Sequence, residues 1–330
     1  MSPPDMDMSV LIYGAGSIGA ILAYLLSRSI PEKNIYAVCR SNYDTAKEQG
    51  FTIDSNLWGD GLSVHPCIVR SVEEAVRSSP QPFRWLLVTT KATIDCPEAE
   101  AIRPAVSPNT TIVILQNGIA IEEPFRAAFP QAPILSGVLY TPVSQTGPTT
   151  FTHGTLDEVY MGTFPADAPV LHMNACAKFT CLVRTGGAKA HYVTDIQIER
   201  WKKLLINGSE NPICALCRLR DAEFFRSSCG ATAFMTDVMS EIAATARAAG
   251  YTSIDEGVVQ EQLELLTIRP LPGVMPSMMA DVLAGRQMEA DVILGNTVKI
   301  AQNHQVATPL LKALLTLTTA LNKSITTEDR

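Results

Sequence analysis

The sequence predicts an α/β chain whose first half is a doubly wound parallel sheet and whose second half is all helical. Three observations predict it. Short apolar runs in the first half are separated by helical or turn-rich segments. A glycine-rich turn joins the first run to a helical pattern, and strand signals nearly vanish after Thr194.

Ser9–Tyr13 is an apolar run ended by Gly14, and a helical pattern through Ile18, Ile21, Leu22, Leu25 and Leu26 follows. Ile35–Cys39, Trp85–Thr89, Thr111–Leu115 and Ile134–Leu139 repeat the short run, rich in β-branched and aliphatic residues without polar alternation. Such strands, spaced by helices, mean a parallel sheet covered on both faces. Phe151–His153 and Val159–Met161 flank a glycine-containing turn, and Leu182–Thr185 reads as a further strand; all three are expected as antiparallel additions at the edge of the first domain.

Thr194 with Gln197 resembles a capping box, opening a helix through Ile198, Trp201, Leu204 and Leu205. Helical patterns continue over Ala231–Ala249, Val258–Thr267, Met278–Ala284, Glu289–Asn303 and Leu310–Leu321. The boundary is expected near 193, giving an N-terminal domain of 1–193 and a helical domain of 194–330. The 330 residues suit two such domains, at roughly 100–200 residues each.

Composition narrows the function classes. With 46% hydrophobic and 18% charged residues, the chain has the make-up of a globular protein with sizeable cores. Its net charge is −7 and it has no long basic run. That speaks against general binding to nucleic acid or anionic membranes, which needs clustered cations. No apolar stretch is long enough to span a bilayer. Met1 to Met8 carry two prolines and two aspartates, with neither a basic leader nor an Arg-rich amphipathic pattern. A cytoplasmic protein is expected, and the eight scattered cysteines read as reduced thiols. Cys214 and Cys217 form a lone CxxC and are both expected to be plain buried residues. No paired acidic motif or metal-spaced histidines point to a metal.

Gly14-Ala15-Gly16-Ser17-Ile18-Gly19 is a GxGxxG placed between a strand and a helix. Glycines there allow a tight turn, close approach of backbone to a pyrophosphate, and tight helix–sheet packing; the helix N-terminus supplies free N–H groups. This makes the first domain Rossmann-type and dinucleotide-binding. The second strand ends in Arg40, 21 residues after Gly19, where an NAD-preferring site would carry Asp or Glu. Arginine suits a 2′-phosphate, so NADP(H) is the expected cofactor. Thr90-Lys91 and Gln116-Asn117-Gly118 follow two further runs, where open parallel sheets bind ligands. Lys91 and Asn117 are therefore candidates to face the nicotinamide, although either could simply close a turn.

The most informative segment is Trp201 to Pro212. Lys203, Asn207 and Asn211 are four residues apart and are expected on one helix face. Pro212 is expected to kink or break that helix. Spacing alone also allows a solvated face. Asparagine is nevertheless a poor helix former, and two beside a lysine suit a pocket that binds hydroxyls and a carboxylate.

Taken together, these residues resemble the ketopantoate reductase family over nearly the whole chain. The matches are GAGSIG at 14–19, Thr90-Lys91, Gln116-Asn117-Gly118, the W-x-K-x-x-x-N-x-x-x-N-P of 201–212, and Pro276-Ser277-Met278 with Glu289 twelve residues after the serine. The resemblance implies NADPH-dependent reduction of 2-dehydropantoate (ketopantoate) to pantoate, in pantothenate and CoA biosynthesis. Lys203 would be the general acid as hydride reaches C2, and Glu289 an acidic residue orienting lysine and substrate. Asn207, Asn211 and Ser277 would bind the substrate's carboxylate and hydroxyls. Asn117 and Lys91 would face cofactor and substrate. Without the family, Glu289 reads as a surface helix residue and Ser277 as a helix cap.

The sequence also departs from the family. Asp221 stands where a further asparagine is expected, Leu310-Leu311 follow Thr308-Pro309 where an asparagine is common, and the loop Arg269–Val274 is prolonged. A drifted pocket for another keto compound, a silent NADP-binding sensor, or a 3-hydroxy acid dehydrogenase are the alternatives. The sensor reading predicts a decayed helix, and the dehydrogenase reading predicts glycines before the lysine. Neither is met by Ile198-Glu199-Arg200-Trp201 and the residues that follow. A homodimer is compatible with the helical half.

Overall fold

The computed structural model describes residues 8–92 and 96–328. Residues 1–7, read above for a targeting signal, lie outside the described residues. Contacts divide the chain into two compact units: one gathers 8–91, 96–116 and Glu122–Ile196, the other Ala92, Asn117–Ile121 and the chain from Gln197 onwards.

The first unit is α/β. Its strands are β1 (Val10–Tyr13), β2 (Ile35–Val38), β3 (Phe51–Ser55), β4 (Gly59–Val64), β5 (Cys67–Val69), β6 (Trp85–Val88), β7 (Thr111–Ile114), β8 (Ile134–Tyr140), β9 (Val143–Gln145), β10 (Thr150–His153), β11 (Glu158–Thr163) and β12 (Lys189–Tyr192). Its helices are α1 (Ser17–Ser27), α2 (Tyr43–Gln49), α3 (Val72–Ser78), α4 (Glu98–Ala101), α5 (Glu123–Ala128) and α6 (Val170–Thr185).

The main sheet runs β12-β11-β8-β7-β6-β1-β2-β5. It is parallel from β5 to β8, and β11 then joins antiparallel to β8. β1, β2, β6 and β7 are buried at every position, as strands covered on both faces must be. Val10, Ile12, Leu87, Val113 and Leu135 share one core with Ile21, Leu22 and Leu25 of α1 and Phe179 and Val183 of α6. The chain order reverses at β1, which pairs β2 on one side and β6 on the other. Ligands bind in parallel sheets at such a switch point, beyond the C-terminal strand ends.

Two expectations are corrected here. Leu182–Thr185 is the last turn of α6 rather than a strand. Its Val183 continues a buried stripe with Cys176, Phe179 and Thr180, a helical rather than a two-residue period. β10 is no neighbour of β11: it sits in a second sheet, ordered β4-β3-β10-β9. That sheet draws on 51–64, where β3 alternates buried and half-buried positions but β4 is mostly exposed and carries two glycines.

The second unit is helical: α7 (Ile196–Asn207, from Gln197 in this unit), α8 (Glu210–Cys217), α9 (Asp221–Phe225), α10 (Ala231–Ala248), α11 (Glu256–Thr267), α12 (Ser277–Leu283), α13 (Asn296–Asn303) and α14 (Pro309–Glu328). Its core includes Met235, Val238, Met239 and Ile242 of α10, together with Trp201, Leu204 and Leu205 of α7. The Glu241 carboxylate accepts from the Leu310 and Leu311 amides at 2.9 Å each and so caps α14.

Three further corrections concern the helical unit. The run from Lys203 to Asn211 is not one helix, since the break falls at Gly208-Ser209, ahead of Pro212. Pro212 instead lies in the first turn of α8, where its missing N–H costs nothing. A Cβ on Gly208 would lie 2.8 Å from Ile242 Cδ1, so close packing against α10 explains the glycine. The pattern Glu289–Asn303 also begins later than its apolar spacing suggests. Glu289 precedes the helix, and a π-helical turn, Asp291–Gly295, leads into α13. Of the CxxC pair, Cys214 is buried but Cys217, at the end of α8, is exposed.

Candidate active site

The glycine loop leaves β1 at Tyr13. Gly14 has φ +111°, a region L side chains rarely enter, and a Cβ there would lie 2.5 Å from the Thr90 amide nitrogen. Thr89 Oγ1 donates to the Gly14 carbonyl at 2.6 Å, fixing the turn against the end of β6. Gly19 packs without room for a side chain against the Gly14 carbonyl and Ile12. Gly16 differs: a Cβ there would meet nothing within 4 Å. Its open face lies at the start of α1, which has no side-chain cap and no acidic residue in its first turn. Ala15, Ser17 and Ile18 complete the loop. The free N–H groups and the helix dipole fit the pyrophosphate of a dinucleotide.

Arg40 lies exposed just beyond β2, and its Nη2 donates to the Tyr13 hydroxyl at 3.0 Å. The guanidinium is thereby drawn across the end of β1 towards the loop. Asn42, which the sequence did not single out, reaches Ala15 O at 3.5 Å. Beyond β6, Thr90 Oγ1 accepts from Gln116 Nε2 at 3.2 Å, and Lys91 is exposed.

The second cluster lies wholly within the helical unit. Lys203 Nζ donates to Asn117 Oδ1 at 2.9 Å. Asn117 Nδ2 donates to Glu289 Oε2 at 3.3 Å, and Glu289 Oε1 accepts from the Ala92 amide at 2.9 Å. Lysine, carboxamide and carboxylate thus form one chain of bonds. Burial, then the neighbouring Arg200, pushes the Lys203 ammonium down to about 8, against the opposing pull of Glu289. A half-buried amine poised near neutrality is suited to give and retake a proton.

Asn117 is held by its neighbours. Arg200 Nη1 donates to Gly118 O at 3.0 Å, the Ile119 amide donates to Val292 O at 3.2 Å, and Asn296 Nδ2 donates to Ile119 O at 2.7 Å. Gly118 has φ +103° and would place a Cβ 2.8 Å from Val292 O. Glu289 is held too, because Asn322 brackets Met288, accepting from its amide at 2.8 Å and donating to its carbonyl at 3.1 Å. Sequence reasoning missed Arg200, Asn296 and Asn322. Only the Asn-Gly dipeptide hinted at the special backbone.

Asn211 Nδ2 donates to Ser277 Oγ at 3.3 Å. Ser277 is the first residue of α12, with Pro276 as its N-cap, so the serine is not the cap. Asn207 ends α7, half-buried, one turn beyond Lys203. Asp221 makes no asparagine-like contact: its carboxylate accepts from the Ala222 and Val274 amides at 2.6 Å each and pairs with Arg269.

A glycine-loop sheet unit, joined to a helical unit carrying a half-buried lysine, defines a nicotinamide-dependent oxidoreductase. The family model described as Ketopantoate reductase PanE/ApbA matches residues 10–166, and the model of its C-terminal part matches 195–322. The chain belongs to the ketopantoate reductase family and is an NADP-dependent oxidoreductase. It is 32% identical to an uncharacterized protein of Saccharomyces cerevisiae, over 93% of this chain and 92% of that one. It is 26% identical to a 2-dehydropantoate 2-reductase of Caulobacter vibrioides, covering 91% and 94%. The crystal structure of 2-dehydropantoate 2-reductase from Methylococcus capsulatus matches with TM-score 0.83 and 28% identity, covering 96% and 98%.

Proposed function

We propose that the protein reduces ketopantoate to pantoate with NADPH, with Lys203 as general acid. The observation that carries this reading is the Lys203–Asn117–Glu289 chain of bonds, which holds an ammonium in place inside the helical unit. Lys203 donates its proton to the C2 oxygen and stabilises the charge that develops there. Asn117 holds the Lys203 Nζ, and Glu289 holds Asn117 and keeps the ammonium charged. Asn207, Asn211 and Ser277 bind the substrate's carboxylate and hydroxyls. NADPH, when bound, supplies the hydride. Gly14 to Gly19 take its pyrophosphate on the backbone, Arg40 its 2′-phosphate, and Lys91 and Asn117 face its nicotinamide end.

One observation favours a second reading, a pocket drifted to another 2-keto acid. Asp221 stands where the family's asparagine is expected, yet its carboxylate is committed to Arg269 and two backbone amides. It offers the substrate no donor. Following NADPH oxidation with ketopantoate and a panel of 2-keto acids, with Lys203→Ala as control, separates the two. Turnover of ketopantoate above the panel, lost in the variant, supports the first reading. Preference for another keto acid supports the second, and binding of NADPH with no turnover sinks both.

On the first reading the protein serves pantothenate and CoA formation in the cytoplasm. The domains expected at 1–193 and 194–330 then divide the labour as cofactor and substrate binding. Light scattering tests the homodimer that the reading includes.

A further inference from the structure

Two buried carboxylates meet one half-buried guanidinium in the helical unit, outside the Lys203 chain of bonds. Glu210, the first residue of α8, is 4% exposed, and Asp221, the first of α9, is fully buried. Arg269, beyond the end of α11, donates through Nη1 to Glu210 Oε1 at 2.9 Å and also to Asp221 Oδ2. The remaining Asp221 oxygen accepts from the Ala222 and Val274 amides. The strap 269–276 is stitched further by Asp221 N to Val274 O at 3.3 Å and Arg220 Nη1 to Gly273 O at 3.3 Å. Gly273 has φ +85°, and a Cβ there would strike Asp221.

The strap's position gives it meaning. Its far end is Pro276, after which Ser277 opens α12; its charged end is anchored at Glu210, next to Asn211. The Asn211–Ser277 hydrogen bond is therefore spanned by the cluster, one partner at each end.

We propose that Glu210, Asp221 and Arg269 form a proton-dependent brace that positions Asn211 and Ser277 for the substrate, so that substrate affinity falls when the brace gains a second negative charge. The proposal rests on reading Asn211 and Ser277 as substrate contacts. Arg269 is the one cation bonded to both carboxylates, so this trio is neutral only when one carboxyl keeps its proton, and an extra charge on buried Glu210 is costly. Glu210 is the holder: burial foremost, and Asp221 beside it, push its carboxyl up to about 8 against the pull of Arg269. The sign follows. Below that value the brace is neutral and tight; as pH rises through it, Glu210 ionises beside Asp221 and the strap loosens.

The other titratable groups around Glu210 do not reverse this. Cys214 on its own helix has a thiol pushed further up by burial and by both carboxylates. On α12, Asp281 is paired with Arg286. On α14, Lys312 is exposed. At the start of α9, Glu223 accepts from the Arg220 amide.

The first test is hydrogen exchange of the intact protein, read on peptides covering 268–276 and corrected for intrinsic rates. Protection at Val274 should fall about tenfold between about pH 7 and about pH 9 in the native chain and stay flat in Glu210→Gln, which mimics the protonated acid. The same pH course in both proteins overturns the brace. The second test is steady-state kinetics with ketopantoate. KM should rise several-fold over that range in the native enzyme and not in Glu210→Gln, with both proteins sharing one kcat profile. Arg269→Gln should raise KM already at about pH 7; an unchanged KM there overturns the proposal without recourse to Glu210. If exchange behaves as expected but no 2-keto acid is turned over, the substrate reading falls and the brace stands.

Discussion

The glycine loop and the lysine cluster place chemistry in opposite ways. At 14–19 the groups proposed to bind the cofactor are backbone amides, and the side chains matter by being absent: Gly14 and Gly19 leave no room for one, and Gly16 faces open space. Around Lys203 the working atoms are side chains drawn from segments about 90 residues apart in either direction, Asn117 and Glu289. The first site is written in six consecutive residues; the second exists only after the helical unit has packed. A local site should therefore fail by strain or blockage, and an assembled one by loss of a single proton donor.

The largest expected effect breaks the assembled site. Lys203→Ala should lower kcat by about 10²–10⁴, the usual worth of a positioned general acid. The thermal midpoint should hold or rise, since a half-buried ammonium held below its ordinary range is no source of stability. A large fall in the midpoint would make Lys203 a structural residue.

Two alanines sharpen the other side. Gly14→Ala puts a Cβ against the Thr90 backbone in a strained conformation and should cost about 3 kcal/mol of stability. Gly16→Ala meets no protein atom, so the fold should keep its midpoint while NADPH binds at least tenfold more weakly, a loss of about 1.4 kcal/mol. Equal loss of stability in both variants would mean that Gly16 serves packing and that the open face is incidental. Arg40→Ala tests the side chain proposed to hold the 2′-phosphate. NADPH affinity should drop about tenfold, as for a charge-assisted hydrogen bond, with NADH affinity unchanged.

This contrast also explains what the sequence could show. The parallel strands were legible because full burial leaves runs such as Val10–Tyr13 with no polar residue. The glycine loop was legible because its geometry is local. The one-face reading of Lys203, Asn207 and Asn211 failed at Gly208, which packs against Ile242; a single glycine inside a helical pattern is a weak signal, and the break was expected at Pro212 instead. Leu182–Thr185 misled for a related reason, since four residues are too few to separate a strand from the end of a helix. Arg200 was invisible as a site residue: in sequence it is one more cation on a helix, and only the fold buries it beside Lys203 and ties it to Gly118.

Arg200 also supplies the smallest and most discriminating effect. It is 3% exposed and is the leading charge that lowers Lys203, while its Nη1 holds the Gly118 carbonyl. Because the acid must enter the reaction protonated, kcat for reduction should fall as pH rises through about 8 in the native enzyme. Removing the cation in Arg200→Met should move that fall upward, towards the ordinary lysine range near ~10.4. Arg200→Lys keeps a charge but not the planar fork, so the fall should stay near its native position while kcat drops severalfold because Asn117 is held less well. If both variants keep the native pH profile, Arg200 acts only through the backbone, and the Lys203 proton is set by burial and Glu289 alone. If Arg200→Met moves the profile and Arg200→Lys does not, the assembled site owes part of its lowered proton affinity, beyond that due to burial, to a side chain that touches no reacting atom, a dependence that a backbone site such as Gly14 to Gly19 cannot have.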